Sequence, residues 1–162
     1  MRLRFGAAIL ALSPLLCFAE PASACEQAAF ASVVSNASTL LSTMNDEHKK
    51  AFQAKLATLK SREGWADGDY AAKATPFIKD ATTSALDEDN KALLDKVPLL
   101  GGAAGAEAAD AAQLTGKRCA MLSELRAMMA KVVENTRAKW AHMLGKVDAA
   151  LDEPRQAKAA GQ

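Results

Sequence analysis

Cys119-AMLSELRAMMAKVVENTRAKWAHMLGKVDAA-Leu151 is the stretch that decides the fold. Leu122, Leu125, Met129, Val132, Val133, Thr136, Trp140, Leu144, Val147 and Leu151 recur at steps of three and four, which places them on one face of an α-helix. No proline occurs from 106 to 151, and the interior glycines Gly116 and Gly145 cost roughly 1 kcal/mol each against alanine without stopping the helix. A long C-terminal helix is therefore expected, with room for a bend at Gly116. A helix carrying so broad an apolar face must bury it against others.

Upstream, the same period continues with interruptions. Val33, Val34, Ala37, Leu40, Leu41 and Met44 share a face over about Glu26–Met44, and Phe52, Leu56 and Leu59 share another. Asn45 or Asp46 reads as the cap of a second helix between them. Gly64 and Gly68 end that helix, with Trp65 and Tyr70 as anchors over the end of a bundle. Thr75-Pro76 reads as a break or kink. Asp87-Glu88-Asp89-Asn90 reads as a new helix start burying Leu93, Leu94 and Val97, and Pro98, Gly101 and Gly102 as its end. Strand-forming residues are scarce: downstream of residue 24 there are six Val, one Ile and one Tyr, with no sustained alternation. The expected fold is all-α, a bundle of four to five helices with one long C-terminal helix, after an N-terminal signal peptide.

The first 24 residues carry that signal pattern. Arg2 and Arg4 precede an apolar run from Phe5 to Phe18, and Ala22-Ser23-Ala24 makes a small-residue cleavage site. About 14 apolar residues broken by Pro14 fall short of the roughly 20 needed to span a bilayer. The chain thus divides into a signal peptide (1–24), one helical domain (25–153) and a polar, Ala-rich flexible tail (154–162). The whole chain has 20 Lys+Arg against 19 Asp+Glu; without Arg2, Arg4 and Glu20 the charges balance. A neutral domain has no electrostatic footprint for nucleic acid. No later segment is apolar enough to cross a membrane, and the expected location is periplasmic or secreted.

Export makes the cysteines informative. Cys17 leaves with the leader, and Cys25 and Cys119 remain as a pair in an oxidising compartment, where a disulfide is the default. The competing use is a lipid anchor on Cys25, but Ala22 stands where such signals usually carry Leu.

Chemistry-bearing patterns are few. The histidines are His48 and His142. Helical haem carriers draw a His and a Met or second His from different helices, which makes His142 with Met143, Met128 or Met129 the candidate set for haem or copper. On a helical projection His142 shares a solvated side with Lys131, Asn135 and Lys146, and the methionines follow the core stripe. There is no C-x-x-C-H for covalent haem and no H-E-x-x-H for zinc. A calcium loop begun at Asp87 fails at its fifth and sixth positions, Lys91 and Ala92. Gly101-Gly102-Ala103-Ala104-Gly105 lacks the Gly-Lys-Ser/Thr of a phosphate loop. No G-x-S-x-G is present. No residue is assigned a catalytic or cofactor-binding role.

Cys25 heading an Ala/Val-rich helix (Ala28-Ala29, Val33-Val34), with Cys119 on a late helix, is loosely similar to small secreted haem-carrying proteins of the mycobacterial type. That resemblance implies a helical haem carrier, and the chain departs from it in lacking a Tyr-His ligand pair. Met44-Asn45-Asp46-Glu47-His48-Lys49-Lys50 looks faintly like the helix starts of periplasmic stress chaperones, without their Leu, Thr and Gln. The expected function is an exported, non-enzymatic binding protein of the cell envelope that takes a protein partner or a small apolar ligand. The alternatives are a haem- or copper-binding periplasmic bundle and, below it, an exported helical enzyme.

Overall fold

A 42-residue helix, Ala111–Asp152, is the spine of the structure, and every other α-helix packs on it. The computed structural model describes residues 25–103 and 111–153. The expected signal peptide and the expected tail lie outside them. In chain order the elements are α1 (Gln27–Glu63), a 3-10 turn (Asp67–Asp69), α2 (Tyr70–Ile78), α3 (Ala81–Leu94), α4 (Val97–Ala103) and α5 (Ala111–Asp152). The all-α bundle with one long C-terminal helix is as expected. Among the described residues there is no strand.

Sequence separations between touching residues fix the directions. Cys25 bonds Cys119 across 94 residues, Asn45 meets Trp140 across 95, and Lys55 meets Asp148 across 93. A constant offset means that α1 and α5 run parallel. Against α3 the offset shrinks instead: 66 for Asp80–Lys146, 52 for Asp87–Lys139 and 46 for Asn90–Thr136. That helix is antiparallel to α5. Two parallel neighbours need a connection that travels the length of the bundle, and the broken rod α2–α3–α4 supplies it.

Helix α1 is one 37-residue element, where two helices separated by a cap at Asn45 or Asp46 were expected. Asn45 favours caps when its side chain turns back on its own backbone. Here its Oδ1 accepts from Trp140 Nε1 at 2.7 Å, so it has no reason to interrupt the helix. The helix ends where expected, at Gly64, whose φ of 64° is the left-handed conformation glycine adopts without a Cβ penalty. Trp65 N–H then reaches back to the Lys60 carbonyl at 3.0 Å.

The break placed at Thr75-Pro76 falls instead at Lys79–Asp80, because α2 carries Pro76 in its last turn. What restarts the chain is a reciprocal cap. The Asp80 carboxylate accepts from Thr83 N–H at 2.9 Å, and Thr83 Oγ1 accepts from Asp80 N–H at 3.0 Å. The Asp87–Asn90 run, expected as a helix start, is the interior of α3. Asp87 there takes both carboxylate bonds from Lys139 at 2.7 Å. Pro98, expected to end a helix, is the second residue of α4, where a missing N–H costs nothing.

The core lies in two clusters along α5. Phe30, Ala37, Leu122, Leu125, Met128 and Met129 form one at the disulfide end. Phe52, Leu56, Leu59, Ala74, Met143 and Val147 form the other, with Trp65, Tyr70 and Phe77 closing over it. Trp65 and Tyr70 are thus the anchors the sequence indicated. Several residues read as core are not: Val34, Leu40 and Leu94 are 36%, 49% and 45% exposed. The period places a side chain on a face, but only the width of the partner decides how much of that face is covered.

Candidate binding groove

The first half of α1 is thinly seated. Its buried residues are Phe30, Ala37 and Met44, one every seven residues, whereas Phe52, Leu56 and Leu59 follow one another at steps of four and three. Depressions therefore flank the helix on both sides. On one side is a groove of 560 Å³, walled by Phe30, Ala31 and Val34 of α1 and by Val97 of α4, with Leu125 of α5 lining it between them. Gln27, Ser35, Ser38 and Thr39 give it a polar rim. On the other side Ala37, Leu40, Met129 and Val133 line a depression of 410 Å³. Val34 lines the first and Leu40 the second, which is why both are exposed although they lie on the apolar stripe.

The groove spans α1 from Gln27 to Thr39, about 18 Å at 1.5 Å per residue. Its volume is in the range of small-molecule sites. No lining residue is titratable, so it presents apolar area and hydroxyls and no acid, base or nucleophile. The disulfide stands at its end: Cys25 and Cys119 have Cα atoms 5.1 Å apart, and Cys25 packs on the same cluster as Phe30.

The metal candidates are dispersed. Met143 is 4% exposed in the far cluster, and Met128 and Met129 are buried in the near one. Fourteen residues of helix, about 20 Å, separate His142 from Met128. His142 is not on a solvated face as projected. It is half-buried, and its Nε2 lies 2.7 Å from Asp80 Oδ2. Asn135, placed on that same solvated side, is 3% exposed. Among the described residues no group of three or more His, Cys, Asp or Glu is arranged to hold a metal.

The Asp80 carboxylate sits at the break between α2 and α3 and faces α5. It accepts from Lys146 Nζ at 2.6 Å as well as from His142 and Thr83 N–H. The Lys146 bond first, then the Thr83 N–H and His142, hold its carboxyl well below the usual carboxylate range. Lys146 also donates to the Pro76 carbonyl, so one lysine joins α5 to both sides of the α2–α3 break. These bonds tie α5 to both sides of the α2–α3 break, with His142 held by Asp80.

Comparison with protein-family models, curated proteins and solved structures finds no match. The groove thus rests on its own geometry. Sequence reasoning missed Phe30, the groove's largest apolar residue, because it precedes the periodic run by three positions. It also missed the Asp80–Thr83 cap, although Asp-x-x-Thr after a proline is a legible start signal. Val97 and Leu125 were both read as core residues, but nothing in their spacing brings them to one trough.

Proposed function

We propose that the protein is an exported, non-enzymatic helical binding protein that takes an elongated apolar ligand, or the apolar side chains of a protein partner, in the groove between α1 and α4. The open trough of Phe30, Val34, Val97 and Leu125 carries this reading. Apolar surface left uncovered beside a well-packed cluster gains free energy from any apolar occupant, at roughly 25 cal/mol per Å² removed from water. The hydroxyl rim suits an occupant with one polar side. Export draws support from the leader-like pattern of residues 1–24 and from the disulfide, a bond that persists in oxidising compartments. No observation favours the haem or copper alternative, since its candidate ligands lie apart.

The test is a groove variant read against native cargo. Val34→Glu puts a charge on the groove wall at a position 36% exposed, so folding is expected to survive. The protein purified from its native envelope and weighed by native mass spectrometry is expected to carry an apolar adduct or a partner chain that Val34→Glu lacks. Wild-type protein is also expected to enhance the fluorescence of an anilinonaphthalene dye, and the variant not. Equal cargo and equal dye response in the two proteins would refute the groove as the site. A Soret band or stoichiometric copper in the native protein would replace this reading with the metal carrier.

A further inference from the structure

A third depression lies between α3 and α5, and its chemistry is different. It measures 280 Å³ and is lined by Asp89, Ala92 and Leu93 of α3, by Lys96 in the turn that follows it, and by Lys131 and Asn135 of α5. Asn135 is 3% exposed, and its Nδ2 is buried without a hydrogen-bond partner. Among the described residues the only other buried side-chain atom in that state is Oδ1 of Asn90, on the facing helix. Buried amides are nearly always bonded, so an unmet donor beside a cavity calls for an acceptor. The two lysines add positive charge at the same place. Lys131 already holds Glu134 at 3.1 Å, but those side chains are 52% and 66% exposed, and such a pair is readily exchanged.

Two ammonium groups and an amide donor suit a carboxylate. Asp89 on the same lining works against a second negative charge and offers an acceptor to an ammonium, while Ala92 and Leu93 provide a short apolar patch. We propose that this depression binds a small zwitterion of the amino-acid type, its carboxylate at Lys131, Lys96 and Asn135 and its ammonium at Asp89. The proposal is independent of the α1–α4 groove, which contains no charged lining residue.

The experiment is a titration of the full chain with alanine, followed on the side-chain amide signals of Asn135 by nitrogen–proton NMR. A saturable shift is expected, with Kd of about 1 mM or tighter. Lys131→Met, at an exposed position, is expected to weaken it by about tenfold or more, and Lys49→Met on α1 to leave it unchanged. Asp89→Asn is expected to weaken alanine and to improve succinate, which binds wild type less well. Absence of any shift would leave a water or a reoriented Asn90 as the partner of the amide and would overturn the proposal. Equal affinity in Lys131→Met and Lys49→Met, or a preference of the wild type for succinate, would overturn it as well.

Discussion

Asp80 shows how one side chain can hold three elements. It caps α3, ties down His142 and Lys146 of α5, and through Lys146 is linked to the last turn of α2. Its carboxyl titrates below the ordinary range, so its contribution to stability is complete above the ordinary Asp pKa of about 4 and is lost as acid carries the pH down toward the folded-state value. Asp80→Asn keeps a good capping residue and removes the charge. We expect its melting temperature to lie below wild type at neutral pH, and the gap to close progressively as acid drops the pH below about 4. Pairs of melting curves across that range would show it. Thr83, 2% exposed, supplies the other half of the cap, and Thr83→Val should cost about 1 kcal/mol in urea unfolding at any pH. Arg62 plays the matching part at the far end, donating to the Ala150 and Leu151 carbonyls in the last turn of α5. Arg62→Met should remove about 1 kcal/mol and lower amide protection near residue 150 first.

At the scale of elements, the two halves of α1 differ in how they are held. The second half buries Phe52, Leu56 and Leu59 at close spacing, whereas the first depends on a residue every seventh position and on Cys25. Leu59→Ala is expected to cost about 2–5 kcal/mol, and Leu40→Ala within about 0.5. Closing a 94-residue loop contributes about 4–5 kcal/mol at most by loop entropy. Replacing Cys25 and Cys119 by serine should therefore lower stability by about 2–5 kcal/mol. Hydrogen exchange should then show residues 27–44 opening before 52–63; uniform loss along α1 would contradict the thin seating described for its first half. These distinctions were partly legible in the sequence. Helical period and the α1 terminus at Gly64 could be read because they are local. The continuity of α1 through Asn45 could not, since it depends on Trp140, 95 residues away. For the same reason the groove was illegible: Phe30, Val97 and Leu125 are unremarkable apolar residues until three helices bring them together.

In the whole molecule, the parallel pairing of α1 with α5 puts residue 25 and residue 153 at opposite ends of a rod whose spine, at 1.5 Å per residue, is about 60 Å long. The covalent bridge joins the front of α1 directly to the first part of α5. Tension applied between those two ends would accordingly pass from Cys25 through sulfur to Cys119 and along α5 alone, leaving everything from α1 to α4 slack. A single oxidised molecule stretched to rupture could release only the chain beyond Cys119, roughly 120 Å of contour, against roughly 440 Å after reduction. The bridge would thus confine extension to the segment beyond Cys119 and keep covalent load off the ninety-odd residues it encloses.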